Sequence, residues 1–222
     1  MKTIRDSKKQ ARIDNYEAQR AALLERGYTE TLVIMSVLKA NVLAAAVTLP
    51  LIAACAVLYG LVHGGFSLSM SSLFETAESP GALILQLLRV LGIALAPLAA
   101  ILVLVVVHEL LHGLGWVLFC QNGWKSIIID VMWDKLTPYC HCKEPLAYGP
   151  YMLGALAPLV ITGFGLFALA LSLGHSGLLA LSFLGILAAG GDLMIVLMLL
   201  RHRKAAYFMD LAADIGCSVF SK

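Results

Sequence analysis

From Gly81 to Cys120 the chain carries a very long apolar stretch, interrupted mainly by Arg89, Pro97 and one compact polar group, His108-Glu109-Leu110-Leu111-His112. As one helix rising 1.5 Å per residue it would reach ~60 Å, about twice the hydrocarbon thickness of a bilayer. A break near Pro97 is therefore expected, because proline brings no N–H to the helical ladder. The section before the break would be an outer-surface or re-entrant piece, with Arg89 snorkelling to the interface. Composition agrees with a membrane setting: 60% of the 222 residues are hydrophobic, 14% are charged, and the mean hydropathy is +0.86. That leaves too little polar surface for a soluble globule, and the fold class predicted is an all-α polytopic membrane protein with about four transmembrane helices.

The remaining spans follow from length and charge. Residues 1–40 are polar and amphipathic, with Ile13, Tyr16, Leu23 and Leu24 at loose helical spacing, and read as an interfacial helix or a solvated tether without functional residues. Asn41–Val62 is the first span, with Pro50 inside it as a candidate kink, and His63–Pro80 contains no lysine or arginine, which places it outside the cytosol. Gln121–Pro150 carries Lys125, Lys135 and Lys143 and is assigned to the cytosol. Within it, Ser126–Trp133 and Pro138–Cys142 suggest a short β-hairpin around Asp134-Lys135 that would hold substrate as an added strand or serve as a plain connection. Tyr151–Leu173 and Leu178–Leu200 are the last two spans, the latter ending at Arg201-His202-Arg203-Lys204, a cytosolic stop. The expected organisation is thus an interfacial segment (1–40), a membrane core (41–204) and an interfacial tail (205–222), in the cell membrane with both termini cytosolic. No signal peptide is evident.

A net charge of +2 indicates no nucleic-acid surface. The five cysteines, Cys55, Cys120, Cys140, Cys142 and Cys217, form no secreted disulfide pattern.

Chemistry is concentrated in the polar group. Two histidines four apart lie on one helix face and can share one metal ion, and the glutamate between them is placed to handle the proton of an attacking water, the His-Glu-x-x-His pattern of zinc peptidases. Ionisable side chains within a membrane-compatible helix are costly, which makes a functional role the default reading. The alternative is a hydrogen-bonded cluster between helices.

Catalytic zinc usually takes three protein ligands. A third histidine in the extended His-Glu-x-x-His-x-x-Gly-x-x-His arrangement is excluded, because Gly115 fits but Leu118 stands at the last position. Asp192 is the best candidate, as the only acid in the fourth span. Counting from the cytosolic ends, it lies at a depth of ~13 Å, against ~13 and ~19 Å for His112 and His108. Gly190 and Gly191 would permit close backbone approach or local unwinding. Asp192 could instead partner a buried polar group or Arg89. Asp130 and Asp134 read as solvated loop acids, Cys140-His141-Cys142 is a weak zinc signature without a second pair, and His141 or Glu144 could orient substrate or the metal ligands.

His-Glu-Leu-Leu-His-Gly, Tyr139-Cys140-His141-Cys142-Lys143-Glu144-Pro145-Leu146, Gly154-Ala155-Leu156-Ala157-Pro158 and Gly191-Asp192 together resemble a bacterial family of zincin membrane peptidases, itself similar to the site-2 protease clan. The resemblance covers about Leu102 to Gly216. It implies a membrane zinc metallopeptidase with His108 and His112 as ligands, Glu109 as catalytic base and Asp192 as the late aspartate ligand. One departure is visible: site-2 proteases present that aspartate before a glycine, whereas here Leu193 follows it and the glycines precede it.

The leading expectation is hydrolysis of a peptide bond in or near a membrane segment, with zinc as cofactor and a membrane protein or peptide as substrate. A non-catalytic membrane protein that binds a metal or partner through the same cluster is the rival from another class. Hydrolysis of a lipid-linked amide or ester would use the same residues.

Overall fold

A computed structural model describes residues 2–66, 80–132, 137–211 and 216–222. The structure is mostly helical, with two small antiparallel sheets. Helix α1 (Lys2–Glu25) leads into strand β1 (Thr29–Ile34), and α2 (Val37–His63) follows. Helix α3 (Pro80–Val117) carries the histidine motif, and β2 (Ile127–Met132) and β3 (Thr137–Cys142) come after it. Next are α4 (Tyr148–Pro158), a π-helical segment (Leu159–Gly165) and α5 (Leu166–Leu173). Helices α6 (Ser176–Ala188) and α7 (Gly190–Leu199) precede β4 (Tyr207–Asp210) and β5 (Gly216–Ser221).

Three helical segments are long and apolar enough to cross a membrane: Lys39–His63, Pro80–Val117 and Tyr148–Leu173. The expected fourth is a bent pair, Ser176–Ala188 and Gly190–His202, meeting at 43°. The bend falls at Ala189, where Gly190 approaches α2 so closely that a Cβ on it would stand 2.9 Å from the Ala44 Cβ. The third segment is continuous but widens after Pro158, where the Thr162 hydroxyl donates to the Pro158 carbonyl at 2.7 Å and competes for the acceptor of the helical ladder.

The break predicted near Pro97 is absent: α3 runs unbroken through it for 38 residues. Pro97 is exposed on α3, and a proline that costs one ladder bond and crowds the carbonyl four residues earlier in its own helix bends a helix more readily than it ends one. Nor does α2 stop at Pro50.

The all-α expectation is corrected by the sheets. The terminal segments join in one, order β1-β5-β4, with Thr29 opposite Ser221 and Tyr207 opposite Phe220. β5 is the central strand and buries Cys217, Ser218, Val219 and Phe220 completely. Helix α1 packs Tyr16 and Leu23 onto Met209 and Phe220. Glu30 on β1 accepts from Arg20 Nε at 2.6 Å, Ser218 Oγ at 2.8 Å and Tyr16 OH at 3.0 Å. Burial drives the Tyr16 phenol up to about 12.

The second sheet pairs β2 with β3 from Ile127 opposite Cys142 to Met132 opposite Thr137. The expected turn residues Asp134 and Lys135 lie outside the described residues. Glu144 closes the base of this hairpin. Its carboxylate accepts the Gln121 and Asn122 amides at 2.7 and 3.1 Å, the Asn122 side chain at 2.9 Å and the Ser126 hydroxyl. Burial pushes its pKa up, but these donors outweigh that and hold it below the usual carboxylate value.

Candidate metal centre

Helix α3 buries residues at a four-residue spacing, Leu104, His108, His112 and Trp116, so both imidazoles leave the helix on one protein-facing stripe. Helix α7 presents Asp192 in its first turn, just after the bend at Ala189. Its Oδ2 lies 3.1 Å from His108 Nε2 and 3.4 Å from His112 Nε2. One donor atom from each of the three residues falls within 4.8 Å of the others. Both histidines are 6% exposed, and 25% of the Asp192 side chain remains open to the adjoining cavity. Arg89 lies exposed in the N-terminal half of α3 and makes no ion pair with Asp192 among the described residues.

Helix α4 holds the second histidine in place. His112 Nδ1 donates to the Gly154 carbonyl at 2.9 Å, which leaves the Nε2 lone pair directed at Asp192. The two helices can come this close because both carry glycine at the crossing: a Cβ on Gly115 would stand 2.5 Å from Gly154 Cα. Trp116 stacks on His112 at 5.4 Å and 18°, and its indole N–H donates to the Tyr151 carbonyl at 3.1 Å. His108 Nδ1 is buried without a partner among the described residues.

Glu109 is half-buried and lines a cavity of about 270 Å³ together with His112, Asp192, His141, Cys140 and Asp210. It contacts the backbone amide of Cys140 on β3. Cys140 also packs on α3, where its sulfur would lie 3.6 Å from a Cβ on Gly113, and Cys142 lies 3.5 Å from Cys120 at the helix end. The two cysteines thus fasten β3 along the motif helix. Burial pushes both thiols up, so they remain protonated packing groups.

The structure therefore brings together His108, His112 and Asp192, with Glu109 at the cavity wall. His141 also lines the cavity; it is buried, its Nδ1 lies 3.8 Å from Asp210, and burial pushes its pKa down. Glu144 is elsewhere, its oxygens occupied by the turn before β2. Asp130 accepts the neighbouring Val131 amide at 2.8 Å and does not line the cavity, and Asp134 is outside the described residues.

Sequence reasoning missed Asp210 and Arg12, which both line the cavity. Asp210 accepts the Tyr151 hydroxyl at 2.7 Å and the Cys142 amide at 3.1 Å, tying β4 to α4 and β3. The Gly154 carbonyl was equally invisible, because a backbone acceptor leaves no trace in residue identity.

Two imidazoles from one helix and a carboxylate from another, converging in an apolar helical protein with a glutamate beside them, define a zincin-type candidate metal centre. Residues 101–207 match the profile of a family described as "Putative zincin peptidase". No curated protein and no solved structure matches the chain.

Proposed function

We propose that the chain is a membrane-embedded zinc metallopeptidase that hydrolyses a peptide bond within or near a membrane segment. The observation that carries this reading is the convergence of His108, His112 and Asp192 within 4.8 Å. The donor set fits zinc: two imidazole nitrogens and one carboxylate oxygen are ordinary ligands for a site that keeps a position open, and the Gly154 carbonyl leaves the His112 lone pair free for it. Bound there, zinc supplies a Lewis acid that activates water and polarises the scissile carbonyl.

Glu109 accepts the proton of the attacking water and returns it to the leaving amine. Its neighbour on β3, the Cys140 amide, faces the same cavity and orients the carboxylate in the meantime. A substrate helix must locally unwind, because its amides are otherwise hidden in internal hydrogen bonds. The β2–β3 hairpin lies beside the cavity and would hold such a segment extended.

Chain parity supports four crossings. β1 precedes all the apolar helices, β5 follows them, and the two are hydrogen-bonded neighbours. An even number of crossings between them favours reading the bent α6–α7 pair as one span. Arg201, Arg203, Lys204, Lys125 and Lys143 on this side support a cytosolic face in a cell-membrane protein. On that reading the metal ligands lie within the cytosolic half of the bilayer.

Metal analysis of the purified chain tests the reading. One zinc per chain is expected in the wild type, with loss in His108→Ala, His112→Ala and Asp192→Ala, and cleavage of a membrane peptide that stops on chelation. A wild type without stoichiometric metal refutes the reading.

A further inference from the structure

Arg12 reaches the cavity from α1 and is the only basic side chain, apart from histidines, among its described lining residues. Its Nη1 donates to the Tyr139 hydroxyl, and its Cζ sits 4.9 Å above the Tyr139 ring. Its Nε is enclosed without a partner among the described residues. Three carboxylates line the same cavity, yet none is paired with it. Asp192 faces the two histidines, Asp210 takes Tyr151 and Cys142, and Glu109 meets the Cys140 amide. Elsewhere the wall is apolar, with Val33, Met35, Met194 and Met198.

A half-buried guanidinium with no counterion among the described residues is costly, and its planar fork matches a carboxylate. The Tyr139 hydroxyl accepts from Arg12, which leaves its own hydrogen free for a ligand. Burial pushes the Tyr139 phenol up, so it stays a donor at neutral pH.

We infer that Arg12 and Tyr139 form a carboxylate-binding subsite within the cavity proposed above as the substrate cleft. The ligand class is a peptide carrying an acid close to the cleaved bond. Tyr139 directly precedes Cys140, whose amide touches Glu109. At ~3.3 Å per extended residue, the bound carboxylate therefore falls within about three residues of the scissile bond. It belongs either to an acidic side chain or to the chain terminus.

The test uses full-length, zinc-loaded protein in detergent micelles, titrated with N-acetyl-leucine, N-acetyl-leucinamide and the α-amide of N-acetyl-glutamate. N-acetyl-leucine or the glutamate compound should bind about tenfold more weakly to Arg12→Met, the loss of one charge-assisted pair. Arg12→Lys, which keeps the charge without the fork, should lose less, and Tyr139→Phe about threefold. The leucinamide should not distinguish the variants. Which acid binds tells a terminal from a side-chain carboxylate. Chelator-stripped wild type should bind the acids as the zinc-loaded protein does. Equal binding by wild type and Arg12→Met, or binding lost on chelation and kept in Arg12→Met, would overturn the subsite. Zinc content and circular dichroism verify that the Arg12 variants are folded. Binding is read without turnover, so the subsite and the peptidase reading can fail separately.

Discussion

Between Pro80 and Val103, helix α3 exposes apolar side chains on nearly every face. Between Leu104 and Val117 the same helix buries a stripe of Leu104, His108, His112 and Trp116 against α4 and β3. Leucine, valine and isoleucine dominate both halves, so hydropathy does not separate them. What separates them is small and ionisable residues: Gly113 and Gly115 allow close approach, and the imidazoles have acceptors to meet. In a helix that lipid surrounds by default, burial against protein is marked by the groups lipid cannot satisfy.

The sharpest way to break this contrast is to remove function from the packed half without disturbing its structure. Glu109→Gln should retain zinc and lose at least ~10²-fold in turnover of a membrane peptide, as expected for a deleted general base. Retained turnover would take Glu109 out of the mechanism.

Next in size is the helix crossing. Gly115→Ala puts a methyl 2.5 Å from Gly154 Cα, so α3 and α4 must separate and the Gly154 carbonyl withdraw from His112. A cost of about 1–3 kcal/mol and weaker zinc retention are expected, read by thermal unfolding and chelator competition. An unchanged melting temperature would mean the two helices are free to shift apart.

A smaller effect is expected at Glu144, whose folded-state pKa is depressed by its donors. A depressed carboxylate stabilises the fold above its unfolded pKa, near 4.5, and loses that contribution as pH falls through the lower folded value. Glu144→Gln should therefore be less stable than wild type at pH 7, with the gap narrowing towards pH 3. A gap independent of pH would assign the effect to the lost hydrogen-bond geometry instead of the charge. The smallest effect belongs to the N-terminal half: Leu88→Ala, on an exposed face, should change stability by less than ~0.5 kcal/mol and zinc content not at all. A larger loss would reveal a protein neighbour along that face.

Much of this was legible in residue order. Apolar runs marked the candidate spans, four-residue spacing put His108 and His112 on one face, and Asp192 stood out as the only acid in the last apolar run. The run of isoleucine and valine from Ile127 to Val131, followed by a second extended piece, suggested the β2–β3 pairing. The three-stranded sheet was hidden because β1 and β5 come from opposite ends of the chain, and no local pattern pairs segments so far apart. Arg12 and Asp210 were hidden with it, since only that sheet and α1 carry them to the cavity. Pro97 misled because proline's effect depends on packing that sequence does not display. Glu144 misled because its acidic side chain beside a metal-like triplet turned out to serve the backbone of a turn.

The indole of Trp116, stacked on His112 and anchored by its N–H, makes the centre optically addressable. Its emission responds to the charge on the adjoining ring, because a protonated imidazole draws electron density from an excited indole. Cation loading and release can then be followed on the unlabelled chain by fluorescence, with Trp116→Phe isolating the contribution of this indole.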